Sequence, residues 1–331
     1  ATGIGATLMA LGNPNLKWET TTAYDLGLDF GMWEDRLTVT FGYYLKKTKN
    51  LLSSVTLPTS LGFIDYKENL GQMENEGVEL ALRSFVYKSN DWNVSLFVNM
   101  AHNKNRIVSI SNALSSYNDK ADQEQANNDD YKTKPMVRYK EGRSSTAIYA
   151  MKSLGIDPAT GKEIYAGNRG EWSAGDITYQ GDPTPKLAGS FGLTGTYGNW
   201  DFNCMFRYSF GGKVYNQEAA EFTDMADLNA NGPVQMRDKW RKAGQDAKWQ
   251  GFDNRLTLPT SRFVETRNIL SLSSLHVGYR FDAALAEKMY MTGLRVALSC
   301  NDLFYSSSAK MERGLIYPFA RSFTLSLQAT F

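Results

Sequence analysis

Apolar and polar residues alternate with a period of two along much of this chain, and the clearest case is its last stretch, YPFARSFTLSLQATF. Phe323, Leu325, Leu327, Ala329 and Phe331 fall on one face, and Ser322, Thr324, Ser326, Gln328 and Thr330 on the other. That period predicts a β-strand with one apolar and one polar face. Small hydroxyl and amide groups opposite lipid-compatible ones fit the wall of a transmembrane barrel. The same alternation recurs at Tyr24–Phe30, Leu37–Lys46, Val78–Arg83, Trp92–Met100, Leu187–Tyr197, Trp200–Phe210, Leu275–Phe281 and Leu294–Cys300. Weaker strands are expected at about 144–154 and 162–168, flanking Asp157-Pro158-Ala159-Thr160-Gly161. The count is about eleven. Short turns at Trp33–Arg36, Ser89–Asp91 and Gly198-Asn199 alternate with long connections at about 53–75, 111–142, 169–185, 217–268 and 308–316. Outer-membrane barrels have this habit, with short periplasmic turns and long extracellular loops. Trp33, Trp92 and Trp200 all sit at short turns, where an interfacial aromatic belt would place them.

The fold class expected is therefore all-β, a transmembrane antiparallel β-barrel. The main soluble alternative is a large β-sandwich or solenoid. Its strands usually run five or six residues, shorter than these, and no internal repeat supports a solenoid. The polar face also carries Asp25, Asp29, Glu79, Arg83, Arg207, Arg280 and Arg295. Unpaired buried charge costs several kcal/mol, so that face must be wet, and these seven residues are expected to line the lumen. Bacterial single-chain barrels have even strand numbers, and open edges in lipid leave backbone groups unsatisfied. An odd count ending on a periplasmic Phe331 puts residues 1–20 outside the cell, as an extracellular loop leading into the barrel. Residues 21–331 then read as the carboxy-terminal part of a larger barrel, with a long extracellular loop at 217–268.

Composition changes this picture little. With 36 basic and 35 acidic side chains the net charge is +1, which leaves no nucleic-acid footprint. A mean hydropathy of −0.41 would by itself suggest a soluble protein, but alternate residues of a barrel face water. No run of about 18 apolar residues is present, which argues against transmembrane helices. The first fifteen residues lack the basic and apolar regions of a signal peptide.

Candidates for chemistry are sparse. His102 and His276 are the only histidines and fall on different strands, so no enzyme is expected. Cys204 and Cys300 fall on the apolar face with a strand between them, too far apart for a disulfide. Asp227-x-Asn229-x-Asn231-Gly232 resembles the start of a calcium loop, but its twelfth position is Asp238 and not Glu. Calcium at these residues is the one cofactor candidate. The plainer reading is a turn leading into a helix over 233–243, with Gly244 past its end. Trp172, Tyr179, Trp249 and Phe252 lie on expected external loops and could stack on a substrate. Arg237, Trp240 and Arg241 have the composition of a protein–protein contact.

Several segments resemble, in order, the SusC/RagA type of TonB-dependent outer-membrane transporter. They are Asn13–Thr21 with Tyr24–Phe30, Asn69–Gly71 with Asn75–Leu80, Gly181–Lys186, Arg237–Trp240, Ser274–Tyr279, Asn301–Phe304 and Tyr317-Pro318. The resemblance implies a barrel of about 22 strands, of which this chain would supply the carboxy-terminal half, without the plug domain. It implies import of glycans or peptides driven by TonB, a SusD-like surface lipoprotein as partner, and the outer membrane of a Gram-negative bacterium, by resemblance a member of the Bacteroidota. Phe331 resembles the terminal aromatic by which such barrels are recognised for insertion. The residues alone reach only a wide, wet barrel with large external loops, which a passive porin or adhesion barrel would also satisfy.

Overall fold

In the computed structural model, which describes residues 13–56, 65–167, 173–226, 232, 234–252, 257–313 and 318–331, the chain forms fifteen strands. They are β1 (Thr20–Met32), β2 (Leu37–Lys49), β3 (Leu52–Thr56), β4 (Asp65–Asn69), β5 (Gly71–Lys88), β6 (Trp92–Ile110), β7 (Ile148–Met151), β8 (Ser153–Ile156), β9 (Glu163–Tyr165), β10 (Ile177–Gly181), β11 (Leu187–Tyr197), β12 (Trp200–Tyr215), β13 (Val264–Arg280), β14 (Gly293–Ser307) and β15 (Ser322–Thr330). Nine of them make one antiparallel sheet in the order β1-β2-β5-β6-β11-β12-β13-β14-β15. Every neighbour is next along the chain or separated only by a long connection, the up-and-down topology of a barrel wall.

Register carries the two-faced pattern across the whole sheet. Asp29 stands beside Thr40, Ala81, Asn99, Ser190 and Arg207 on successive strands, and Arg83 stands beside Thr38 and Phe97. The other face carries rows such as Phe30–Val39–Leu82–Val98–Phe191–Phe206. Cys204, Leu275 and Cys300 share one such row, so β13 does separate the two thiols. This apolar face is uncovered: Leu26 is 57% exposed, Leu325 75% and Leu327 71%. A contiguous apolar surface of that kind needs lipid or another protein against it.

The two ends of the sheet differ. One end has tight turns: Trp33, Glu34 and Asp35 link β1 to β2 with positive φ, and Gly198 at φ 50° starts the β11–β12 turn. Here Trp92 stacks on Tyr197 with centroids 4.1 Å apart, and Trp200 lies 4.7 Å from Tyr279, at the end where the sequence reading put an aromatic belt. A short helix, α4 (Ala283–Lys288), joins β13 to β14 at this end.

The other end holds the long connections, and here the structure corrects the sequence reading. The main sheet has nine strands among the described residues and not eleven. Residues 148–151 and 177–181 pair as β7–β10, and 153–156 pairs with 163–165 as β8–β9, in two small separate sheets. Tyr149, Ala150 and Met151 are all buried. A run apolar on both faces belongs inside a packed body, where a lipid–water boundary strand would alternate. The longest connection is accordingly the one between Ile110 and Leu187, which also contains helices α1 (Asn112–Asn127) and α2 (Asp129–Lys132). The connection from β12 to β13 begins with α3 (Gln217–Phe222) and does not hold the expected helix over 233–243. Val234–Asp238 is a 3-10 turn, after which Lys239 bridges Trp249 in parallel. Tertiary contacts to Trp249 override local helix propensity there.

The face assignment yields a labelling prediction. A cysteine introduced at Thr38, Asn203 or Ser299 should react with a charged, membrane-impermeant thiol reagent in the assembled protein. At Val39, Phe202 or Leu298 it should not. The reverse result would shift the register by one residue, since one slip exchanges the faces.

Candidate functional site

The polar face gathers charge near the tight-turn end. Asp201 on β12, His276 on β13 and Arg295 on β14 alternate onto that face, and the register brings them together. Arg295 donates from Nη2 and Nε to the Asp201 carboxylate at 2.7 and 3.2 Å, and His276 Nε2 lies 3.0 Å from Arg295 Nη2 and 3.1 Å from Asp201 Oδ2. His276 Nδ1 lies 2.9 Å from Ser299 Oγ. Arg280 is directly opposite Arg295 in register, and the Asp201 carboxylate bound to Arg295 offsets part of that like charge. A concavity of about 270 Å³ beside the cluster is lined by Arg83, Ser95, Thr194, Asn203 and His276. Sequence reasoning put Arg83 and Arg295 on the polar face, without this cluster and without the meeting of Asp201 with His276. The signal available was only that both are polar positions on neighbouring strands.

At the opposite end the two longest connections fold onto one another. Tyr149, Met151, Tyr165, Ile177 and Leu258 form one apolar cluster, and Tyr215, Ala220, Trp249 and Phe263 a second. Between them Arg262 grips Glu163 through two hydrogen bonds, at 2.8 and 3.2 Å, and also pairs with Asp224. Both carboxylate side chains are fully buried. Asp224 further accepts from the Gln250 amide N–H at 3.0 Å and from Thr257 Oγ1 at 3.0 Å. Burial alone would depress the Arg262 pKa, but hydrogen bonds to Glu163 and the charge of Asp224 outweigh it and hold the group above its ordinary value. Burial raises the Tyr165 phenol, with Glu163 adding to it. Burial also lowers the pKa of Lys239, whose ammonium donates to the Thr223 carbonyl at 2.7 Å.

This body uses several residues expected to meet a ligand. Trp249 is buried, with Phe263 stacked 5.6 Å from it and the cationic groups of Lys248 and Arg262 over its ring. The expectation of an open stacking face at Trp249 is corrected: its ring faces are occupied by the protein. Phe252 lies beneath the Lys239 ammonium. Trp240 packs against Gly161, a glycine at φ 70° where an added Cβ would strike the indole, and its Nε1–H donates to the Pro158 carbonyl at 2.8 Å. Arg237 and Arg241 are exposed beside it. Tyr179 is partly exposed, with Arg143 4.2 Å over its ring, and borders a notch of about 310 Å³ with His102, Asn103, Asp182 and Lys186. Burial and Asp182 raise its phenol pKa. Trp172 and the calcium candidates Asp227, Asn229 and Asn231 lie outside the described residues; Asp238 is exposed. Among the described residues no three His, Cys, Asp or Glu side chains are placed to hold a metal.

A two-faced sheet with tight turns at one end and long packed connections at the other is the geometry of a barrel wall. Residues 3–232 match the family model described as TonB dependent receptor-like, beta-barrel. The chain belongs to that family. Among curated relatives, this receptor barrel is 28% identical over 317 residues to TonB-dependent receptor P3 of Formosa agariphila, covering 90% of this chain and 31% of that protein. It is 25% identical over 336 residues to TonB-dependent receptor SusC of Bacteroides thetaiotaomicron, covering 96% and 32%. The receptor barrel thus spans about a third of the length of these relatives. Its fold matches the RagAB peptide transporter at a TM-score of 0.73 and 23% identity, covering 93% of this chain and 34% of that one. The 'open-open' state of the RagAB peptide importer gives 0.76 and 21%, covering 100% and 37%.

Proposed function

We propose that this receptor barrel forms part of the wall and extracellular mouth of an outer-membrane, TonB-dependent importer of nutrient oligomers, glycans or peptides. The reading is carried by the continuous polar face and the continuous apolar face of one nine-stranded sheet. It is supported by the similarity to SusC and to the RagAB importer. The long connections are then extracellular. Residues 13–19, tied by reciprocal 2.8 Å hydrogen bonds between Lys17 and Asn69 to the β3–β4 hairpin, enter from that side. The remaining strands of a barrel of about 22 and the plug come from elsewhere in the assembled transporter. Deleting the gene should abolish growth on one member of a glycan and peptide panel, and depleting TonB should abolish it equally. Uptake that persists without TonB would favour the passive porin reading instead.

A SusD-like lipoprotein is the partner this reading calls for, and the exposed Arg237 and Arg241 are the contacts we assign to it, with Trp240 supporting them from behind. Replacing both arginines by alanine should weaken co-purification of the lipoprotein while barrel heat-modifiability stays unchanged. Co-purification at full yield would remove this segment from the interface.

A further inference from the structure

On β1, β2, β5 and β6 the apolar face changes character toward the mouth. Leu26, Tyr43, Val78 and His102 form one cross-strand row. Above it come Tyr24–Leu45–Glu76–Lys104, then Thr22–Lys47–Glu74–Arg106, then Thr20–Lys49–Gln72. All of these side chains alternate onto the same face as Leu28, Val39 and Leu80, the lipid face of the wall. Glu74 bridges Lys47, at 3.4 Å, and Arg106, while Glu76 meets Lys104 at 3.2 Å. Lys49 has no carboxylate partner among the described residues. Four permanent cations thus face two carboxylates. The side chains of Lys47, Lys104 and Arg106 keep 45%, 60% and 52% of their surface exposed. Each uses one nitrogen within the ladder and has further N–H donors to offer.

The height of this ladder decides what it meets. From Leu37, at the tight-turn end, to Lys47 is ten residue steps, about 33 Å along a strand. At a strand tilt of about 40° that is about 25 Å along the membrane normal, the height of a barrel's apolar band. The aromatic pairs Trp92–Tyr197 and Trp200–Tyr279 mark the other edge of the same band. The basic rows therefore lie in the headgroup plane on the mouth side.

We propose that Lys47, Lys49, Lys104 and Arg106 hold the phosphate groups of lipid headgroups in the outer leaflet. Surplus positive charge, partly desolvated at the hydrocarbon edge and including one guanidinium fork, matches phosphate oxygens in charge and geometry. The inference rests on the membrane topology proposed above, which the cysteine-labelling experiment tests by itself.

The test uses the intact protein purified from outer membranes and placed in phosphatidylcholine nanodiscs. The discs are doped with a bisphosphorylated glycolipid or with phosphatidylglycerol, or are bathed in inorganic phosphate, and retained lipid is counted by native mass spectrometry. Retention of the glycolipid above phosphatidylcholine is expected, and it should fall by on the order of ten- to a hundred-fold in the triple variant K49Q/K104Q/R106Q. Lys49→Gln alone, which breaks no ion pair, should lower it in a protein that folds normally. Lys46→Gln, one residue away but on the lumen face, should leave it unchanged. Equal loss with Lys46→Gln, or undiminished retention in the triple variant, would overturn the proposal, as would competition by inorganic phosphate as effective as the glycolipid. Should labelling place the apolar face in the lumen, the topology falls; should labelling hold while retention is indifferent to these variants, only the headgroup site falls.

Discussion

Replacing Arg262 by methionine should open the packed mouth while leaving the barrel wall intact. The substitution leaves the carboxylates of Glu163 and Asp224 buried without their cation. Breaking a buried pair in this way typically costs about 3–5 kcal/mol, enough to unfold a loop body locally. The cation also lies against the rings of Trp249 and Phe263, at 5.4 and 4.6 Å, so its loss removes packing as well as charge. Limited proteolysis should then cleave within the Ile110–Leu187 and β12–β13 connections together, several-fold faster than in the parent, with heat-modifiable migration unchanged. The triple variant with Glu163→Gln and Asp224→Asn should recover part of the resistance, because neutral amides need no counter-charge. Cleavage of one connection alone, or parental resistance, would mean that the ion network does not hold the two together.

Expressed alone, the chain should give no closed barrel and no heat-modifiable band. Among the described residues β1 pairs only with β2, and β15 only with β14. The outer edges are 13 and 9 residues long. In hydrocarbon each unpaired backbone group costs several kcal/mol, so the penalty along either edge exceeds the stability of an ordinary domain of about 5–15 kcal/mol. Co-expression with the remaining strands of the transporter should restore the shift. A heat-modifiable band from the isolated chain would mean that the two edges close on each other or on a second copy.

The wall strands were legible because a lipid–water boundary imposes the same alternation on every strand that crosses it. Leu294, Val296 and Leu298 show it as plainly as Phe323, Leu325 and Leu327. Inside the packed mouth no boundary runs along the strand, so Ile148–Met151 reads as a continuous apolar run that fits a wall, a core strand or a helix equally well. Helix α1 was missed for the opposite reason: its sequence is almost wholly polar, with only Ala113, Leu114, Ala121 and Gln125 buried. The charges of the polar face were assigned to it from parity alone. Their partners were not, because Asp201 and Arg295 are 94 positions apart and meet only once β13 is known to lie between their strands. The same limit hid Arg262 and Glu163, 99 positions apart. It also made Trp249 look available, since an indole in a polar loop carries no mark of the phenylalanine that will cover it.

Two long connections locked by one guanidinium also constrain how such a mouth can be exchanged between relatives. A graft of residues 216–263 alone would carry Asp224, Trp249 and Arg262 but leave Glu163 with the recipient. A graft of 148–181 alone would bring the carboxylate without its arginine. The transferable unit is both segments at once, with the Gly161–Trp240 contact moving along with the ion network. A shuffling experiment that swaps single loops should therefore return mostly misfolded mouths, whereas paired swaps should return receptors with altered selectivity on an unaltered wall.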